Sequence, residues 1–250
     1  MSVLSVRGLS KVYGQGHNQV RALNHIELEI EKGEFVAIMG TSGSGKSTLL
    51  NMISGLDTYD QGEVLIGGEN IKGYSDNELT RLRREKIGFI FQLFNLIPVL
   101  SVIENVTLPA MLTVKNKKEL EEKAIDLLQL VGLGSFIQSK PNLLSGGQQQ
   151  RVAIVRALIN DPELILADEP TGSLDSKTSK DMMNILRNFC EELGHTLIVV
   201  THDANVAAYA NRVVFMHDGK ICDTLNLKNS GLKDNEVVRI IASKIEELSL

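Results

Sequence analysis

The stretch GEFVAIMGTSGSGKSTLLNMISG, residues 33–55, decides the fold. Lys32-Gly33 turns the chain into residues 34–39, a short apolar run of the kind found in a buried parallel strand. Residues 46–54, closed by Gly55, have helical patterning. Between them lies Gly40-Thr41-Ser42-Gly43-Ser44-Gly45-Lys46-Ser47, which fits GxxxxGK[ST] and follows a strand and precedes a helix, as that chemistry requires. Glycines let the backbone fold into a loop whose N–H groups converge on phosphate oxygens, and the helix N-terminus adds its partial positive charge. Lys46 is expected to reach the β- and γ-phosphates and the Ser47 hydroxyl to bind Mg²⁺, with Thr48 beside them among the nucleotide contacts. The motif predicts a nucleotide and leaves open what is done with it.

Outward from this unit, alternation over residues 3–7 and 26–30 predicts half-buried strands. Two more apolar runs, 164–167 and 196–200, predict buried strands, and helical patterns cover 117–131, 148–159 and 176–193, the last ended by Gly194. Strands alternating with helices imply an α/β core with a parallel sheet. Residues from about 92 to 159 lack clear strands and read as a helical insertion. Residues 213–216 and 220–223, joined by Asp218-Gly219, predict a closing hairpin. In residues 234–250, Val237, Val238, Ile241, Ile245 and Leu248 fall at helical spacing, which predicts a terminal amphipathic helix.

The 250 residues are 43% apolar and 23% charged, an ordinary globular composition with ample material for a core. The net charge of −5 argues against a nucleic-acid surface, which needs a basic stripe. Cys190 and Cys222 are far apart, without metal-ligand spacing, and are read as reduced thiols. The opening MSVLSVRGLSKVYG has no apolar signal region. The most apolar stretch, 89–114, is broken by Gln92, Asn95, Pro98, Glu104, Asn105 and Pro109, so it does not read as a membrane span. Any membrane role is expected to come through a partner.

Two further segments carry chemistry. Residues 164–169, Leu-Ile-Leu-Ala-Asp-Glu, form an apolar strand that delivers two acids at its C-terminal end, where open α/β sheets bind ligands. Asp168 suits the first or second shell of Mg²⁺, and Glu169 is placed to orient and polarise an attacking water. Leu144-Ser145-Gly146-Gly147-Gln148 starts a second helix with a capping serine and two glycines that leave backbone N–H groups open. It reads as a second anion site about a hundred residues from the first. One phosphate chain does not need two such cradles from one molecule, so the economical reading gives this one to the nucleotide held by another copy. A simple phosphate-loop kinase leaves this segment idle.

With these motifs in this order, the chain resembles an ABC-family nucleotide-binding domain over nearly all of residues 1–225. The resemblance implies a P-loop NTPase core of α/β class with a mixed or parallel sheet, an N-terminal antiparallel β subdomain and a helical subdomain at about 92–159. Residues 226–250 form a C-terminal extension. The resemblance implies ATP and Mg²⁺ as cofactors. Tyr13 matches the aromatic that stacks on adenine, with Val20 as an apolar neighbour. Gln92 matches the glutamine that contacts Mg²⁺ and water, so that Ser47, Gln92 and Asp168 are the metal candidates. Ser145, Gly146, Gly147 and Gln148 match the signature, and Asp175, in Ser173-Leu174-Asp175, matches the loop that couples two sites across a dimer. His202 matches the switch histidine, which with Glu169 and Gln92 completes the expected catalytic set.

Residues 83–98, 101–109 and 167–172 further resemble the branch that works with FtsX-like or macrolide-exporter-like permeases, including lipoprotein-release, macrolide-export and bacitracin-type peptide-resistance ATPases. Ser101 and Val155 depart slightly from that branch, where threonine and a smaller residue are usual. The resemblance implies an ATPase on the cytoplasmic face of the cell membrane, joined to a second copy of itself and to an integral-membrane permease, with no nucleic acid. Part of the apolar segment after Gln92 is expected to form a groove for a cytoplasmic helix of that permease, the rest being ordinary core. An alternative expectation is regulation of a cell-wall hydrolase through a permease, with nothing transported.

Overall fold

A computed structural model describes residues 2–112, 114, 116–228 and 231–248. Two long antiparallel strands open the chain, β1 (Ser2–Tyr13) and β2 (Val20–Glu31). Both extend beyond the runs 3–7 and 26–30 expected from alternation. Gly8 at φ +57° and His25 at φ +54° shift the register between them, so the period-2 pattern is readable on one side of the irregularity only. β3 (Phe35–Met39) leads through the phosphate-loop motif into α1 (Lys46–Ile53). The short strands β4 (Gln61–Ile66) and β5 (Glu69–Asn70) complete a four-stranded antiparallel sheet in the order β2-β1-β4-β5.

The remaining strands and α-helices among the described residues are α2 (Asp76–Lys86), β6 (Ile87–Phe91), α3 (Val102–Thr107), α4 (Lys117–Leu130), α5 (Gly146–Leu158), β7 (Leu164–Asp168), α6 (Ser176–Glu191), β8 (Leu197–Thr201), α7 (Ala204–Ala207), β9 (Arg212–His217), β10 (Lys220–Asn226) and α8 (Asp234–Leu248). A second sheet runs β10-β9-β3-β8-β7-β6, parallel throughout except for the β9–β10 hairpin. The hairpin turn is Asp218-Gly219 with φ of +45° and +72°, the positive values that a two-residue turn matching the strand twist demands. Among the described residues between 92 and 159 there are helices and no strand.

Alternate side chains of the parallel strands serve two cores. Val36, Ile38, Leu164, Leu166, Ile198 and Val200 pack towards the antiparallel sheet and α1. Phe35, Ala37, Met39, Ile165, Ala167 and Val199 pack towards the helices on the other face. The central sheet is therefore covered on both sides, which is why its strands read as continuous apolar runs.

The predicted terminal helix forms as α8, and Ser249 and Leu250 of the expected span lie outside the described residues. α8 packs on α7 and buries Val237 and Ile241 in the helix-side core, while Lys244 reaches Asp223 of β10 at 2.6 Å. Ile241 is fully buried, so Ile241→Ala is expected to lower stability by roughly 2–5 kcal/mol through the lost burial and the cavity left behind. Chemical denaturation checks this; a change below about 0.5 kcal/mol, the ordinary surface value, would mean that α8 is not docked.

Candidate functional site

The phosphate loop joins the end of β3 to the start of α1 and owes its shape to its glycines. Gly45 has φ +101° and Gly40 backs onto the carbonyl of Met216, so a side chain at either position would strain or displace the loop. The β9–β10 turn props it from outside. The Gly219 amide donates to the Ser44 carbonyl at 3.0 Å, and the Gly219 carbonyl accepts from the Asn24 amide at 2.8 Å. Lys46 turns its Nζ inward and donates to the carbonyls of Gly40 and Thr41, both at 2.9 Å. Burial lowers the pKa of its ammonium, while Glu169 and Asp168 oppose that shift.

β7 delivers the two acids to the same place. Asp168 Oδ1 accepts from the Ser47 hydroxyl at 3.4 Å. Burial raises the Asp168 carboxyl above its ordinary range; the bond from Ser47 opposes this, the charge of Glu169 adds to it, and Lys46 opposes it least. Glu169 sits at φ +46°, a left-handed conformation rare for a residue with a side chain and costing about 1–3 kcal/mol. Its amide donates to the Val200 carbonyl at 2.9 Å. Its carboxylate is held at both oxygens: Oε1 shares a hydrogen bond with His202 Nδ1 at 2.7 Å, and Oε2 accepts from the Thr201 hydroxyl at 3.3 Å. Strain of this kind persists only when the surroundings enforce it, and a fixed carboxylate beside a lysine and a helix N-terminus has the form of a preorganised catalytic group.

A cavity of about 760 Å³ gathers much of the predicted set: Val20, Ser42, Gly43, Gly45, Lys46, Ser47, Thr48, Glu169 and His202. Gly40, Thr41, Ser44 and Asp168 do not line it. Tyr13 stands just outside; it pairs with Val20 across the β1–β2 ladder and is 39% exposed. Gln92 is on the other side of Glu169. With Gly172, Glu169 and His202 it lines a second cavity of about 490 Å³, and its backbone carbonyl accepts from the Ser173 hydroxyl at 3.1 Å.

The signature residues lie elsewhere on the chain. Ser145 caps α5 reciprocally: its hydroxyl accepts from the Gln148 amide at 3.3 Å, and Gln148 Oε1 accepts from the Ser145 amide at 2.8 Å. Gly147 packs on Thr178 of α6, the helix that Asp175 caps through the amides of Lys177 and Thr178. Ser145, Gly146, Gly147, Gln148 and Asp175 therefore form one neighbourhood, and none of them lines the cavity at the phosphate loop. One chain does not bring the α5 terminus at Ser145 to the cavity at Lys46.

Two supporting residues escaped the sequence reading. Thr201 steadies Glu169, and buried Gln150 donates to the Pro170 carbonyl at 2.6 Å, tying α5 to the end of β7. Thr201 stands next to His202 and was open to notice; Gln150 had no local signal beyond being a polar residue on the apolar face of α5.

A family model described as ABC transporter matches residues 23–172. A macrolide export ATP-binding/permease protein, MacB, from Aggregatibacter actinomycetemcomitans is 50% identical over 221 residues, covering 88% of this chain and 34% of that protein. The chain thus spans about a third of the length of its MacB relatives. An uncharacterized ABC transporter ATP-binding protein of Methanocaldococcus jannaschii, MJ0796, is 48% identical over 223 residues, 88% of this chain and 95% of that one. A chain from the dimeric structure of the MJ0796 cassette in a post-hydrolysis state bound to ADP and Pi superposes with a TM-score of 0.82 at 46% identity, over 90% of this chain and 98% of that chain.

Proposed function

Since the chain belongs to the ABC transporter family, we propose that it is an ATP-binding and ATP-hydrolysing subunit that works as a head-to-tail pair of identical chains around two ATP. The observation that carries this reading is the separation of the two cradles within one chain: the loop at Lys46 and the α5 terminus at Ser145 need a second copy to face one phosphate chain. The dimeric form of the MJ0796 cassette supports it.

The chain's own residues then have defined tasks. The loop amides and Lys46 bind the phosphates, exchanging the lysine's bonds to Gly40 and Thr41 for bonds to phosphate oxygens. Glu169, held by His202 and Thr201, orients the attacking water and accepts its proton, and His202 stands at the edge where the terminal phosphate would lie. Ser47 and Asp168 present adjacent hard oxygen donors that fit Mg²⁺ when phosphate oxygens complete its shell. Gln92 lines the neighbouring cavity rather than the one at Ser47, and would help to hold the ion only if its side chain turned towards that site. Bound there, Mg²⁺ would neutralise charge that builds on the phosphates.

The output is assigned to a permease at the cytoplasmic face of the membrane. Among the described residues no helix is long and apolar enough to cross a bilayer. Leu93, Val99, Met111 and Leu112, just beyond Gln92, are exposed apolar side chains suited to a partner. The MacB relatives are named as joined ATP-binding and permease proteins, which supports a partner of that kind here.

Complementation between chains tests the pairing. Lys46→Ala removes the donor half and Ser145→Glu puts a carboxylate into the cradle, so each variant alone should be inactive. Mixed in equal amounts they should recover about a quarter of parental ATPase turnover, because half of the dimers are mixed and each has one intact site of two. If mixing restores nothing, the composite site is wrong.

A further inference from the structure

We propose that Lys11 and Asp57 are positioning residues for the nucleobase, which lock the ring of Tyr13 so that one face is presented for stacking. The inference rests on the reading of Tyr13 as the stacking aromatic and extends it to two side chains that have no role in it.

A tyrosine exposed at a strand end is ordinarily free to turn. This one is held at its tip and on one face. The Tyr13 hydroxyl donates to Asp57 Oδ2 at 2.7 Å, and the Lys11 ammonium lies 4.8 Å from the centroid of the ring. Lys11 and Tyr13 are two apart on β1, so their side chains leave the same face of the strand. Lys11 itself is only 8% exposed; instead of running out to water, it turns in to the Thr58 carbonyl and to Asp57 Oδ1 at 3.4 Å. The Thr58 amide donates to the same Asp57 oxygen at 2.7 Å, so the carboxylate is fixed as well. Burial pushes the Asp57 carboxyl up, but the Tyr13 hydroxyl, the Thr58 amide and Lys11 outweigh it and hold it below its ordinary range.

The arrangement has a direction. With an ammonium against one face, the ring's π density is drawn towards that side, which weakens the repulsion a second aromatic meets on the other. Asp57 lies four residues beyond the end of α1, and Thr48, near the start of α1, lines the nucleotide cavity. The segment that holds the phosphates at one end therefore fixes the base platform at the other.

Calorimetric titration with ATP and with inorganic tripolyphosphate separates base from phosphate contacts. Tyr13→Ala should weaken ATP by roughly 5- to 100-fold, the worth of one base stacked on an aromatic, and leave tripolyphosphate unchanged. Tyr13→Phe keeps the ring and loses the clamp; it and Asp57→Ala should each weaken ATP by about two- to tenfold, the equivalent of one side chain left free to rotate. The double variant should be no weaker than either single one, and tripolyphosphate affinity should stay within about twofold throughout. Should Asp57→Ala fail to fold, Tyr13→Phe alone carries the comparison. Unchanged ATP affinity in Tyr13→Phe and Asp57→Ala, beside a loss in Tyr13→Ala, overturns the positioning role only. An equal loss of tripolyphosphate in Asp57→Ala also overturns it, since Asp57 would then act on the phosphate loop. Unchanged ATP affinity in Tyr13→Ala overturns the stacking reading itself.

Discussion

Glu169→Gln should bind ATP at least as tightly as the parent chain, hydrolyse it about 10²- to 10⁴-fold more slowly, and accumulate as an ATP-dependent dimer. The amide is isosteric, so the acceptor for the Thr201 hydroxyl survives, as does the fit against His202. What goes is the proton acceptor. A negative charge that would face the terminal phosphate goes with it, which favours the nucleotide-bound state. With cleavage blocked, the phosphate bridge between two copies persists. Single-turnover hydrolysis and light scattering on a sizing column read the two effects separately. Turnover within tenfold of the parent removes Glu169 from its role, and a single-chain mass in saturating ATP removes the bridge.

Lys46→Ala should lose nucleotide affinity itself by about a hundredfold or more. The ammonium makes two bonds to loop carbonyls and is already partly removed from water. Charge-assisted hydrogen bonds contribute about 1.5–3 kcal/mol each, so the loss of two to phosphate oxygens gives that factor. Equilibrium binding of a fluorescent ATP analogue, with denaturation as a control for folding, checks it. Near-normal affinity in a folded variant would show that the loop amides suffice and that Lys46 has another task.

The two variants probe parts of the site that were legible in unequal degree. Gly40–Ser47 was readable because the chemistry is local: glycine spacing sets backbone conformation within eight residues, and the flanking strand and helix form as expected. The acids at the end of β7 and the cap at Ser145 were readable for the same reason. What escaped depends on contacts made across the chain. β6 follows a charged helix and contains Gly88, which reads locally as a breaker; its reason is the carbonyl of Ala157 in α5, against which any side chain would clash. The β4–β5 hairpin is the exception, with a local signal in Gly67-Gly68 after an apolar strand, at φ of +58° and +83°. The hold of Thr201 on Glu169 spans 32 residues and the clamp of Asp57 on Tyr13 spans 44, and no periodicity encodes either.

The prop under the phosphate loop also sets the order of events during synthesis. The loop is complete at Ser47, but the carbonyl behind Gly40 comes from Met216 and the amide that braces Ser44 comes from Gly219. Those residues leave the ribosome about 170 positions later, some 10–30 s at roughly 5–20 residues per second. Contacts of such long span form late, after the loop-closure entropy has been met. A nascent chain arrested anywhere in that interval carries the motif without the late residues that brace the loop and complete its pocket.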